Sequence, residues 1–266
     1  MTSAWEIITV TSGDADSATD SKISASLRYM NADGVYDYSN SVALNNANSL
    51  HNNVFQRGYF DRFLVDLNVE SNTTPVDIYV NIDGKDMWRG LRIYVMERSS
   101  GRIYSTQEHI FEVDNNNSIT LPLQRCIKDP GNVESPVTPK TSTFNIRVIT
   151  DSIHAAGTND QVYCKLISKD GYSTDLFEFE RLGNDFQPGS DRQYRVELGR
   201  ELSRIDYVLF FKFGIEGWLP SEAIVHDAGV TPTGYPTTSA KNIHAIWLNG
   251  TEHGKQDYLQ LETVSV

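Results

Sequence analysis

Basic residues are scarce in this chain of 266 residues: 23 Lys and Arg stand against 35 Asp and Glu, a formal net charge of −12. That balance argues against nucleic acid as a partner, because phosphate backbones demand clustered cations, and it opposes direct docking on an anionic membrane. Any lipid contact then needs a bridge. Cysteine is nearly absent, with only Cys126 and Cys164, so no disulfide framework is expected. Cys164 reads as a small core residue and Cys126 as incidental. No apolar run approaches the roughly 18 residues of a spanning helix, and MTSAWEIITV lacks the basic start and long apolar stretch of a signal peptide. The expectation is a soluble chain that reaches a membrane surface, or the outside of its cell, by a non-classical route. Strings that announce a catalytic triad, a metal trio or a phosphate loop are missing as well. The six His residues are scattered, and His226, His244 and His253 read as solvated loop residues. No enzyme is expected.

What the chain does contain is alternation. Apolar residues recur at every second position over Ile23–Leu27, Phe63–Leu67, Val76–Ile82 and Leu91–Val95, then over Val162–Leu166, Tyr194–Leu198 and Tyr207–Phe213. Each run predicts a half-buried strand. Between the two sets lies QRCIKDPGNVESPVTPKTST, residues 124–143, with three prolines and no apolar period, which reads as a linker. Residues 1–123 and 144–266 are therefore expected to form two domains of sandwich size. The halves also match as sequences. ATDSKISASLRYMNADG at 18–34 aligns with GTNDQVYCKLISKDG at 157–171, VFQRGYFDRFLVDL at 54–67 with DFQPGSDRQYRVEL at 185–198, and WRGLRIYV at 88–95 with WLPSEAIV at 218–225. Three matches in one order define a duplication, and a repeat of about 120 residues is too long for a solenoid unit.

The strings AGTNDQVYCKL, FQPGS before a strand, and a Trp ahead of a final strand resemble the PLAT domain, a lipid-associated β-sandwich. Within that family they are most like the membrane-binding C-terminal domain of clostridial phospholipase C toxins. The resemblance covers nearly the whole chain, twice. It implies an all-β protein of two tandem antiparallel sandwiches, eight strands each, whose loops at one end bind calcium and insert aromatic side chains into lipid.

The resemblance assigns the calcium loops of the second repeat to Gly157, Thr158, Asn159 and Asp160 with Gly183, Asn184 and Asp185. In the first repeat it assigns Asp16 and Asp20, while Val54 replaces the acid at the position of Asp185. Two departures weaken the second repeat: Ala155 stands where the family often has Asp, and no acid flanks Trp218. Physically, turns rich in Gly, Asn and Asp supply the oxygens that a hard cation takes, and equally well bond to their own backbone as turn caps. DADSATD at 14–20 lacks the Gly and distal Glu of an EF-hand. Trp218, with Phe213 and Ile215 before it, suits a loop-tip membrane anchor or a packed core position. These residues point to a membrane lipid surface as partner, with Ca2+ as cofactor. They leave open a glycan or protein receptor, since sandwich loops also hold sugars and dock proteins.

Overall fold

In the computed structural model the described residues are 2–70, 73–114, 116–126, 141–179, 185–202, 205–214, 216–227, 238–241, 258–260 and 262–263. They contain strands and turns and no helix. The chain divides into two compact units, Met1–Cys126 and Ile127–Val266. The first holds β1 (Ser3–Thr11), β2 (Lys22–Met30), β3 (Tyr36–Tyr38), β4 (Val42–Leu44), β5 (Phe60–Leu67), β6 (Thr74–Asp83) and β7 (Met87–Glu97), then β8 (Ile103–Ser105), β9 (Phe111–Asp114), β10 (Ser118–Pro122) and β11 (Gln124–Arg125). The second holds β12 (Thr141–Thr150), β13 (Gln161–Ser168), β14 (Phe177–Glu178), β15 (Asp191–Leu202), β16 (Ile205–Phe213), β17 (Pro220–Asp227), β18 (Thr238–Lys241), β19 (Tyr258–Gln260) and β20 (Glu262–Thr263). Short segments such as β3, β8, β11 and β14 border the long strands, which is why more than eight are described in each unit.

Each unit is an antiparallel sandwich. In the first, β11-β8-β7-β1-β5, with β9 on β7, faces β10-β6-β2-β3, with β4 on β2. Trp5, Ile7, Phe63 and Ile93 of one sheet and Ile23, Leu27, Ile78 and Val80 of the other share one core. In the second, β15-β12-β17-β18-β20 and β14-β13-β16-β19 enclose Ile146, Val148, Val162, Cys164, Leu166, Val208 and Phe210. Alternation along β2 is visible in its burial, with Ile23, Ala25 and Leu27 inside and the residues between them half exposed.

The duplication extends to register. Ile7 faces Val95 and Phe63, while Ile146 faces Val225 and Tyr194. The β1–β7 bulge at Val10/Thr11 recurs at Ile149/Thr150, and the β2–β6 bulge at Arg28/Tyr29 recurs at Ile167/Ser168. A bulge re-aims the strand, so both sandwiches turn their loop ends alike.

Two expectations need adjusting. Of the 124–143 segment, Gln124–Arg125 pairs with β8 and Thr141–Thr143 belongs to β12; residues 127–140 lie outside the described residues. In β16 the core side carries Val208 and Phe210, whereas Leu209 and Phe211 point to the opposite face and are buried there too. A strand covered on both faces has no period to read. Cys126 and Cys164 are free thiols, and Cys164 is fully buried with Val162 and Leu166, as the alternation predicts.

Candidate functional site

At one end of each sandwich the loop before β2 or β13 meets the turn after β6 or β16, and the backbone is held identically in both repeats. Thr19 N donates to Phe55 O at 3.3 Å and Thr158 N to Phe186 O at 3.0 Å. Ser21 N and Asp160 N each donate to the hydroxyl of the Thr two residues before, both at 3.1 Å. Asp20 N donates to Asp86 Oδ2 at 3.2 Å, and Asn159 N to Glu216 Oε2 at 2.7 Å. Gly84 and Gly214 close the turns with φ of 156° and 148°, where an added Cβ would lie 2.3 Å from Ser21 Oγ and 2.0 Å from Asp160 Cγ respectively. Only glycine serves there, since such φ values suit no other residue and no space remains.

The chemistry inside the shared frame differs. In the first sandwich Asp16 and Asp20 are exposed, and their carboxylates have no hydrogen-bond or ionic partner among the described residues. Asp86 accepts from Met87 N at 2.9 Å and from Asp20 N; the Met87 bond foremost, with the Thr19 hydroxyl and Asp20 N, holds its carboxyl below the usual range, opposed by burial. Asp16, Asn53 and Phe55 have φ of 59°, 58° and 61°. A bulky aromatic residue in the left-handed region is uncommon, and such strain gathers at working loops. Beside this loop opens a cavity of about 560 Å³ whose floor includes Ile23, Leu44 and Val54 and whose rim carries Asp20, Lys22, Asn45, Asn46 and Asn53. Sequence reading missed this cleft, because the asparagines at 45, 46 and 53 look like ordinary turn residues.

In the second sandwich the acids of the same end are held by internal partners, and a cavity of about 630 Å³ opens beside Asp185, Arg192 and Tyr194. Lys212, 1% exposed, donates from Nζ to Asp160 Oδ2 and, at 2.7 Å, to Gly214 O. Burial pushes the Lys212 pKa down, opposed by the bond to Asp160. Asp160 Oδ2 also accepts from Glu216 N at 2.9 Å. Asn159 Oδ1 accepts from Gln187 Nε2 at 3.2 Å. Asp185 is turned onto β15, where Arg192 Nε lies 3.2 Å and Tyr194 OH 3.5 Å from its carboxylate. Thus the two acids assigned to one calcium loop are engaged by different internal partners. Thr158 is buried and Gly157 lies against Phe186 O and Pro188. Gly183, Asn184 and Ile215 lie outside the described residues.

The donor sets of the two sandwiches differ. Among the described residues no three His, Cys, Asp or Glu side chains converge as metal ligands, and the second sandwich already spends its central carboxylate on an ammonium. Among the described residues Asp160 and Asp185, assigned together to calcium, are held by different partners, Lys212 and Arg192. The first sandwich offers the exposed carboxylates of Asp16 and Asp20.

Trp218 requires a correction as a membrane anchor. It is fully buried, donates from Nε1 to Thr150 Oγ1 at 3.1 Å, and stands edge-on to Phe186 and Phe210 at 5.0 and 5.3 Å. Trp88 makes the matching bond to Thr11 Oγ1 at 3.0 Å and the matching contact with Phe55 at 5.2 Å. The indole N–H is satisfied inside, so the ring gains nothing at a wet interface. Phe213 is half-buried at the end of β16.

The fold is thus a tandem β-sandwich whose two loop ends share a backbone and differ in polarity. No family model matches the chain, and no curated protein matches it. Among solved structures it is similar to a coral 8R-lipoxygenase, reported with calcium activation via a C2-like domain, at 20% identity and a TM-score of 0.36. That match covers 46% of this chain and 17% of the lipoxygenase. It is also similar to the alpha toxin of Clostridium absonum at 18% identity and a TM-score of 0.36, over 50% of this chain and 33% of the toxin. The chain therefore spans a minor part of the length of the proteins it matches.

Proposed function

We propose that this chain is a non-enzymatic lipid-surface binding protein that attaches through the loop end of its first sandwich. The observation that carries the reading is the coincidence, at one end, of a cleft large enough for a polar headgroup, a strained loop at Asn53–Phe55 and unpartnered carboxylates at Asp16 and Asp20. The apolar floor suits the upper part of a lipid, and the amides of Asn45, Asn46 and Asn53 suit headgroup oxygens. At a net charge of −12 an anionic bilayer repels the chain unless a divalent cation is shared between Asp20 and lipid phosphate, so calcium acts here as a bridge completed by lipid. Among the described residues no helix is long and apolar enough to cross a membrane. The test is co-sedimentation with phosphatidylserine vesicles in calcium and in EGTA. Calcium-dependent attachment that Asp20→Asn weakens severalfold and Asp185→Ala leaves intact is the expected result; attachment indifferent to calcium and to Asp20 overturns it.

A second reading has its own support. On the outer face of β2, β3 and β6, Tyr36 and Tyr38 are 56% and 53% exposed. Tyr38 meets Tyr79 edge-on at 5.8 Å, and the Arg28–Asp77 pair lies alongside. Exposed rings beside a charged pair suit a glycan. Saturation-transfer NMR with neutral oligosaccharides, lost on Tyr36→Ala with Tyr38→Ala, would favour it over the lipid reading.

A further inference from the structure

Lys212 and Ile82 hold the same place in the two repeats. Ile82 pairs with Ile23 across β6–β2, and Lys212 with Val162 across β16–β13. Both are buried, at 0% and 1% exposure. The partner position changes with them: Ser21 lies against Gly84 in the first sandwich and Asp160 against Gly214 in the second. An apolar side chain goes with a neutral hydroxyl, and an ammonium goes with a carboxylate. The ammonium is met by a carboxylate oxygen and by the carbonyl of Gly214, which are the oxygen types a hard cation takes. Its stem enters from the core, so Lys212 supplies the charge from within. Glu216 N on the same carboxylate and Glu216 Oε2 on Asn159 N then tie the turn after β16 to the loop before β13.

We propose that Lys212 is a built-in cation: its ammonium sits among loop-end oxygens of the second sandwich and locks residues 158–160 to Gly214 and Glu216 without metal. The two repeats then divide the work. The tie between residues 158–160 and Glu216 is then indifferent to calcium, which leaves cation response to the first sandwich. Removing the ammonium leaves the half-buried Asp160 carboxylate and the Gly214 carbonyl facing each other without their cation, and paired oxygens of these types attract a hard cation, so a demand for an external cation should appear at this spot.

The experiment is amide hydrogen exchange on the full chain, read at 158–160 and 216–217, in calcium and in EGTA. In the native chain, protection of these amides should be the same in both. Lys212→Met should exchange there at least tenfold faster in EGTA and recover in millimolar calcium. The double variant Lys212→Ile with Asp160→Ser, which copies Ile82 and Ser21, should regain native protection in EGTA and ignore calcium. Native protection that rises with calcium, a Lys212→Met variant without effect or without calcium recovery, or a double variant as loose as the single one overturns the proposal. If Lys212→Met does not fold, the double variant alone decides: it folds with calcium-independent protection, or the pairing argument fails. Vesicle binding of the native chain is a separate readout, so failure of the lipid reading leaves this result untouched.

Discussion

The two sandwiches carry the same hydrogen-bonded skeleton and fill it differently. Bulges, the buried tryptophan bonded to a threonine, the glycine-closed turn and the tie across the loop end all repeat. Ser21, Ile82, Val54 and Asp61 of the first become Asp160, Lys212, Asp185 and Arg192 of the second. Charge enters the second loop end in pairs, acid with base, and each pair is internally satisfied. The first end instead leaves its acids facing solvent and keeps one carboxyl, Asp61, wholly buried. A duplicated framework thus tolerates a change of chemistry when partners change together, and the copy that keeps unpartnered groups is the one with chemistry to spare for a ligand.

The comparison breaks most visibly if the shared skeleton is not equally important in both copies. Trp88→Ala and Trp218→Ala should each destabilise their own sandwich by about 3–5 kcal/mol, the usual cost of emptying a large aromatic site. Chemical denaturation followed by circular dichroism checks this. A Trp218→Ala variant of native stability would mean that the indole is not a core residue and would restore it as a candidate anchor.

Next in size is the pH response of Asp61, which the second sandwich lacks. Burial raises its pKa from 3.8 to about 7, partly offset by the Phe55 N–H that its Oδ2 accepts at 2.7 Å; Oδ1 has no hydrogen-bond partner among the described residues. With the folded value above the unfolded one, the folded state holds the proton more tightly. Stability is therefore full below about pH 4 as far as this group is concerned, falls as pH rises through about 7, and is flat above. At ~1.4 kcal/mol per pH unit, the loss across that window is on the order of 4 kcal/mol. Asp61→Asn should abolish the fall and stabilise the chain at pH 8, measured by urea unfolding at pH 5 and 8. A native stability that rises between those values would contradict the burial of this charge.

Much of this was legible in the sequence, and the reasons for the exceptions are physical. Strand β2 announces itself because one face is wet, whereas β16 is buried on both faces and YVLFFKF hides which side meets the core. The repeat was legible because register preserves spacing. Lys212 was not, since nothing local links it to Asp160 across 52 positions of sequence; the available signal was the joint change from Ile82 and Ser21. The ambiguity of Trp218 came from its string, as FGIEGW reads equally as an exposed tip or as a turn feeding a buried indole. Its burial, its ring contacts and its bond to Thr150 separate the two.

A smaller effect is expected at Cys164, the counterpart of Ala25, both buried in the core. Cys164→Ser should cost about 1–3 kcal/mol, because the hydroxyl must be desolvated without a guaranteed partner. Burial also lifts the thiol pKa well above its ordinary value, so thiolate chemistry should be silent until unfolding. Rapid labelling of Cys164 by a thiol reagent in the native chain would show the core to be open.

The smallest expected effect sharpens the comparison on the outer faces. Arg147 and Asp191 of β12 and β15 form an exposed bidentate pair, with side chains 43% and 45% accessible. The equivalent residues of β1 and β5 are Ile8 and Phe60, both buried. A solvated ion pair of this kind contributes about 0–1 kcal/mol and is screened by salt, so Arg147→Ala should shift stability by roughly 0.5 kcal/mol at low ionic strength and by less in 0.5 M salt. Ile8→Ala, at the same place in the repeat, should cost about 2–5 kcal/mol with no salt dependence, because it empties a packed site. Urea unfolding of the two variants at both salt concentrations separates the cases. A costly, salt-insensitive Arg147→Ala would mean that the outer face of β12 is covered as that of β1 is, and the asymmetry between the two sandwiches would then be confined to their loop ends.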